Sequence, residues 1–421
     1  MHVFDIIALL IFLSGLFIFV NVFFLKLPSS IGLMILALVL SFGVLVVGSL
    51  FPELQLAKHV KAYDFGEILY QFVLSVMLFA GALNVDFRKL GKQLIPVMVL
   101  AVFGVFISMF VIGTLLYFML DLLSIQLTYL ECLIFGALIS STDPIAVTKT
   151  IRRFELSEKL ETKISGESLL NAGVGVILAL SLYHLHTEFG GLADASFMEV
   201  SWLLIVDLVG GFLLGLGSGW VGYKVLKYVD NDHVHVEVLV TLALVMSASL
   251  LADVLGVSSK MVAMVSGLLI VNIKGDGDEA EEPTMGNYVR RFWQLLEETM
   301  AAMLFVLIGF EMLVIPLRLD YFAAGFFAVN IVIFARWVSV FIPIKLMSYS
   351  RSFDNNTISV LSWGALRGGL PVAVSLSLVS IPGKEIVVSL TYVVVVCSVI
   401  YQGLTVKDVM GLYQNRRSEL G

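Results

Sequence analysis

Five ionisable residues lie deep inside long apolar runs: Asp143, Glu167, Asp207, Arg336 and Arg367. A charge inside hydrocarbon is expensive and marks a functional site by default. Around Asp143 the chain reads ALISSTDPIAV, positions 137–147. Pro144 has no N–H and cannot continue a helical ladder. Ser141, Thr142 and Asp143 just before it offer oxygens to the freed backbone, or cap a helix restarting at Pro144. An interrupted helix exposes its ends to a cavity, which is how many transporters build ion sites. The bland alternative is a proline kink with a capping aspartate and no role in transport.

A second group reads GESLLNAGVGV, positions 166–176. Glu167 and Asn171 are four apart, so they share a helix face with Ser168 beside them. Such a face against the break at 141–144 is a hard-oxygen site for a monovalent cation. The alternative is that Ser168 and Asn171 only hydrogen-bond across a close helix interface at Gly173 and Gly175.

A third group reads SWGALRGGLPVAV, positions 362–374, where Gly364, Gly368, Gly369 and Pro371 bracket Arg367. This is a second interrupted span. Arg367 either neutralises helix C-termini at the break or is a structural anchor. In IVIFARWVSVF, 331–341, the mid-span Arg336 needs a buried partner, and Glu167 is the best available. No motif surrounds Asp207, and Glu67, Asp253 and Glu311 lie nearer the ends of their runs.

The elements that carry these groups follow from composition. Of 421 residues, 59% are hydrophobic and 14% charged, with a mean hydropathy of +0.98. A soluble domain is about 45–50% apolar and about 25% charged. The apolar residues come in thirteen blocks of about 20, the length of a membrane-crossing helix. They fall at 3–25, 29–50, 64–84, 94–119, 129–149, 160–186, 198–225, 236–254, 258–273, 290–313, 318–346, 356–378 and 385–406. Segment 51–63 reads as a surface helix or loop, and the tail after 406 as too short for a regulatory module. In one set of alternate loops lie 19 of the 26 Lys and Arg residues; the other set has 5, and Arg336 and Arg367 sit inside blocks. By the positive-inside rule the N-terminus is outside and the C-terminus cytoplasmic. Blocks 2–6 and 9–13 form two five-span halves with the interrupted span fourth in each, the position expected of an inverted repeat.

Other chemistries find little support. Asp5 near the start of the first block and the lack of a small-residue cleavage site argue for a retained span rather than a signal peptide. The acidic run KGDGDEAEE, 274–282, lacks the spaced ligands of a calcium loop and reads as solvated. His184 with His186, and His233 with His235, are two apart, which does not favour a helical metal pair. Cys132 and Cys397 read as buried thiols. No basic patch interleaved with aromatics suggests nucleic acid, and no Walker loop, nucleophile elbow or His-Glu-x-x-His suggests an enzyme.

STDPIAV (141–147), GESLLN-x-GVGV (166–176), AMLFVLIGFE (302–311), FAR (334–336), WGALRGG (363–369) and YQGLTV (401–406) occur in that order. This set resembles the sodium/proton antiporters of the prokaryotic NhaP and eukaryotic NHE type, over about residues 30–410. The resemblance implies an all-α polytopic membrane protein with an inverted-repeat fold and two crossing discontinuous helices. It implies a six-helix core, roughly 94–186 and 318–406, and a dimerisation scaffold, roughly 1–84 and 198–313. It maps an ion site to Thr142, Asp143, Ser168, Asn171 and position 172, a core ion pair to Glu167 and Arg336, and charge compensation at the second break to Arg367. The implied partners are monovalent cations, protons, the bilayer of a cell membrane and a second copy of the chain; no cofactor is implied.

One position departs from that pattern. Residue 172 is Ala172, where the family carries the aspartate that takes either a proton or a sodium ion. Asn171 before it, in place of a second acid, goes with electroneutral exchange. Alanine neither titrates nor ligates, while Asn171, Gly173, Val174 and Gly175 are intact. The chain therefore reads as a cation/proton antiporter disabled at one position, by design to trap a state. The competing readings are a non-transporting sensor or scaffold with the same fold, and an active transporter, a K+/H+ antiporter among them, with a shifted site at Asp143 alone or with Glu67.

Overall fold

The computed structural model describes residues 3–50, 73–85, 90–91, 93–143, 147, 158–189, 197–228, 234–271, 286–311, 318–349, 357–378, 381–406 and 409. Segment 51–63, Glu67, Pro144, His233, the acidic run 274–282 and the tail beyond 409 lie outside them. Every regular element among the described residues is helical. A bilayer dictates this, because a helix satisfies its own backbone where no water can. Nine helical segments there are long and apolar enough to cross a membrane, and Leu74–Leu83, Tyr129–Ser140 and Ser259–Ile270 are shorter apolar helices.

In chain order the helices are α1 (Val3–Val20), α2 (Ser29–Leu50), α3 (Leu74–Leu83), α4 (Leu94–Leu122), α5 (Tyr129–Ser140), α6 (Glu158–Phe189), α7 (Phe197–Ile205), α8 (Gly211–Tyr228), α9 (Val234–Leu255) and α10 (Ser259–Val271). They continue with α11 (Gly286–Glu311), α12 (Leu319–Met347), α13 (Thr357–Trp363), α14 (Leu370–Ser377) and α15 (Lys384–Cys397). Apolar block 7 is not one regular helix: a π-turn, Val206–Gly210, joins α7 to α8 and carries Asp207. Further π-turns end α1 at Asn21–Leu25 and α15 at Ser398–Gln402. Such turns widen the helix by one residue, which hydrophobic periodicity does not register. Cys132 is buried as expected, but Cys397 is only half-buried.

Two interrupted helices organise one side of the molecule. α5 starts on a capping box, with Thr128 accepting from the Glu131 N–H and the Glu131 carboxylate accepting from the Thr128 N–H. It stops at Ser141, whose backbone is extended. Ser140 and Ser141 donate their hydroxyls to the Gly136 and Leu138 carbonyls at 2.6 and 2.7 Å, filling acceptors at the broken end. The second interruption separates α13 from α14, which restarts with Pro371 in its first turn.

α4, at 29 residues about 44 Å long, packs against α5, α6 and α12. α12 packs against α15 and α13, and α14 against α15 and α5. The remaining helices pack mainly among themselves: α10 against α8, α3 and α9, and α11 against α2, α3 and α1. α6 bridges the two sets through contacts with α10, α3 and α7.

Candidate functional site

The two breaks meet in the interior. The Asp143 N–H donates to the Leu366 carbonyl at 2.9 Å, so the backbone of one interruption bonds the backbone of the other. Val147 beyond the break is helical, and its N–H donates to the Asp143 carbonyl at 3.1 Å. A Cβ at Gly368 would overlap the Asp143 carboxylate, so glycine is what allows the second break this close to the first.

α6 presents a polar face to this crossing. Thr142 Oγ1 lies 3.0 Å from Ser168 Oγ and 3.4 Å from the Ser168 carbonyl oxygen. The Asn171 amide nitrogen donates to Glu167 Oε1 at 3.1 Å and reaches Thr142 Oγ1 at 3.5 Å. Thr142, Ser168, Asn171 and Ala172 are all buried, and Asp143 nearly so. Asn171 Oδ1 is a buried acceptor with no hydrogen-bond partner among the described residues. An orphaned buried acceptor calls for an occupant, either water or a cation. Neutral hydroxyl and amide oxygens suit a hard ion. Among the described residues no three His, Cys, Asp or Glu side chains cluster as a transition-metal site.

Ionisable side chains surround these oxygens. Arg336 meets Glu167 with Nη1 2.7 Å from Oε1 and Nη2 2.9 Å from Oε2, and Nη2 also donates to the Leu361 carbonyl at 3.1 Å. Arg367 donates from Nε to the Ile139 carbonyl at 3.2 Å, in the last turn of α5, and from Nη1 to the Ala365 carbonyl at 3.2 Å. Cationic donors at helix C-termini offset the negative end of the backbone dipole. Asp143, Glu167, Arg336 and Arg367 are each at most 5% exposed. Among the described residues, two carboxyl side chains and two guanidinium groups are thus buried at this locus.

Thus the structure brings Thr142, Asp143, Ser168, Asn171, Glu167 and Arg336 to one locus, with Arg367 bridging both breaks. Asp207 stands apart: it accepts from Ser181 of α6 at 2.5 Å, in the π-turn that joins α7 to α8. Sequence reasoning passed over Ser398 and Gln402. Ser398 Oγ accepts from the Arg367 N–H at 3.0 Å and donates to Gln402 Oε1 at 2.5 Å. Gln402 lies in the YQGLTV segment, which was the available signal. It also passed over Glu131, whose carboxylate accepts from the Gly383 N–H at 2.8 Å and so ties the start of α5 to that of α15.

The family model for the transmembrane sodium/hydrogen exchanger matches residues 8–411. The chain is 37% identical to the Na(+)/H(+) antiporter NhaP of Pseudomonas aeruginosa, over 96% of this chain and 95% of that protein. It is 32% identical to the Na(+)/H(+) antiporter NhaH of Halobacillus aidingensis, over 92% of each. The structure of the sodium proton antiporter MjNhaP1 from Methanocaldococcus jannaschii at pH 8 shares the fold, with a TM-score of 0.75, 20% identity and 96% of both chains covered. With its polytopic helical fold and its two interrupted helices joined at Asp143 and Leu366, the chain belongs to the transmembrane sodium/hydrogen exchanger family.

Proposed function

We propose that this chain is a monovalent cation/proton antiporter whose transport is silenced at Ala172. The observation that carries this reading is the buried oxygen cluster of Thr142, Ser168 and Asn171 beside a side chain that can neither titrate nor ligate. The cluster has an orphaned acceptor, Asn171 Oδ1, but no carboxylate at position 172 to draw a cation from water. An aspartate at 172 would add one negative charge to that cluster. That charge could be neutralised by one sodium ion or one proton but not both, which is the basis of one-for-one, electroneutral exchange. The relatives named as Na(+)/H(+) antiporters support sodium as the cation.

In this reading helices at 94–186 and 318–406 form the core, and those at 1–84 and 198–313 form a scaffold that pairs with a second copy. Alternating access is motion of the core against the scaffold. Thirteen spans, an outside N-terminus and a cytoplasmic C-terminus follow from the distribution of Lys and Arg. Glu167 with Arg336 is the structural ion pair, and Arg367 compensates helix ends at the breaks. The ion gradient drives the cycle, and no cofactor is required. Another relative, the K(+)/H(+) antiporter NhaP2 of Shewanella oneidensis, is 27% identical, and oxygen ligands alone do not fix the size of the ion.

The test is ion flux in proteoliposomes, for the chain as it stands beside its Ala172→Asp variant. Sodium-dependent proton flux only in the variant is the expected result. Flux in the unaltered chain would favour a shifted site, and silence in both would favour a sensor or scaffold.

A further inference from the structure

The non-helical stretch between α13 and α14 lies in the interior, where an unpaired backbone group costs free energy. One peptide unit in it, Leu366–Arg367, is held at both ends. Its carbonyl accepts from the Asp143 N–H at 2.9 Å, and its N–H donates to Ser398 Oγ at 3.0 Å. In a planar trans peptide these two groups point in opposite directions. Ser398 therefore stands on one side of the peptide and the cation-site backbone on the other.

The Ser398 hydroxyl is committed to this task. Serines and threonines inside helices commonly turn back onto a carbonyl three or four residues earlier. Ser389 and Thr391 of the same helix do so, bonding Glu385 and Val387 at 2.6 and 2.7 Å. Ser398 instead gives its single hydrogen to Gln402 Oε1 at 2.5 Å, which leaves a lone pair for the Arg367 N–H. Both residues are buried and bound the π-turn Ser398–Gln402, and π-turns recur at functional sites. The result is one directional chain of hydrogen bonds: Asp143 N–H to the Leu366 carbonyl, the Arg367 N–H of the same peptide to Ser398, and Ser398 to Gln402. Bonds linked in this way polarise one another.

We propose that Ser398 and Gln402 are positioning residues for the cation site, acting through the Leu366–Arg367 peptide on the backbone of Asp143 and hence on Thr142. The role of that site rests on the function proposed above; the positioning itself does not. Neither residue touches the ion. They fix the rotation of the peptide against which the first break is set, and Arg367 of that same peptide unit bonds Ile139 at the end of α5.

Two measurements test this. The first is hydrogen–deuterium exchange read by mass spectrometry on the chain as it stands, in lipid nanodiscs. Ser398→Ala and Gln402→Leu should each speed amide exchange in the peptides covering 141–143 and 365–368 by roughly five- to tenfold, the loss of one hydrogen bond. Exchange across α4 should be unchanged, and Ser398→Thr, which keeps the hydroxyl, should preserve protection. Unchanged exchange at both breaks, or faster exchange spread over α4 as well, overturns the proposal. The second measurement is sodium-dependent flux in the Ala172→Asp background. There Ser398→Ala should raise the KM for sodium severalfold and leave the maximal rate within about twofold. A fall in maximal rate at constant KM overturns the proposal. If Ala172→Asp carries no flux, the function proposed above fails, and the exchange result still decides this one.

Discussion

Glu167 and Arg336 meet in a two-pronged pair, Nη1 to Oε1 at 2.7 Å and Nη2 to Oε2 at 2.9 Å. Each partner also reaches further: Arg336 to the Leu361 carbonyl in the last turn of α13, and Glu167 to the Asn171 amide. The pair therefore joins α6, α12 and α13, and it orients Asn171. With the amide nitrogen engaged by Glu167, the Asn171 carbonyl is left as the unpartnered acceptor of the site. The ion pair thus decides which atom of Asn171 is left without a partner.

Breaking this pair should be costly. Glu167→Gln or Arg336→Gln leaves the other charge buried and unmatched, at about 3–5 kcal/mol. The double variant removes both charges and should lose less than the sum of the two. Thermal unfolding in detergent, arranged as a double-mutant cycle, reads the coupling, and additive losses would show that the two side chains act independently.

Close approach of α4 and α5 makes a second test. A Cβ at Gly136 would sit 2.6 Å from the Met109 carbonyl oxygen, a backbone atom that cannot rotate aside. Gly136→Ala should lower stability by about 1–3 kcal/mol, as overpacking does. Gly217 on α8 has no heavy atom within 4 Å of its would-be Cβ, so Gly217→Ala should leave the melting temperature unchanged or slightly raised. Equal effects at the two positions would contradict the packing of α5 on α4.

Much of this architecture was legible because membranes simplify the code. Apolar blocks gave the helices, since hydrocarbon allows the backbone few other solutions. Gly364, Gly368 and Gly369 beside Pro371 gave the second break. The motifs at 141–147 and 166–176 marked Thr142, Ser168 and Asn171, which the structure brings into contact. What periodicity missed were the π-turns at Val206–Gly210 and Ser398–Gln402, which add one residue to a turn without changing its hydrophobicity. It also missed Ser398 and Glu131. Their partners, the backbone N–H groups of Arg367 and Gly383, carry no mark in the sequence.

Orientation is open to labelling. Gln126, between α4 and α5, and Tyr349, just after α12, are both exposed. The distribution of basic residues assigns them to opposite faces, with Tyr349 cytoplasmic. In a background with Cys132 and Cys397 replaced by alanine, Gln126→Cys should react with an impermeant maleimide added to intact cells. Tyr349→Cys should react only after the membrane is opened. Reaction of both from the outside would sink the topology.

Ala172 makes the last prediction. It is fully buried on α6, next to Asn171. Ala172→Asp puts a further carboxylate into that interior. Without sodium the added charge is uncompensated, so the variant should melt below the unaltered chain, as expected when stability is exchanged for function. Sodium binding only the folded variant should restore what was lost, by about 2.7 kcal/mol at a hundred times its dissociation constant. The unaltered chain should gain nothing from sodium beyond what choline at equal ionic strength provides. A proton and a sodium ion exclude one another at the introduced carboxylate, so the sodium-dependent rise should be largest at alkaline pH and shrink as the pH falls. Melting curves of both proteins in sodium and choline chloride across this range are sufficient. A sodium-dependent rise of equal size in the two proteins would show that the cation binds elsewhere, and a rise in the variant that grows toward acid pH would rule out competition at position 172.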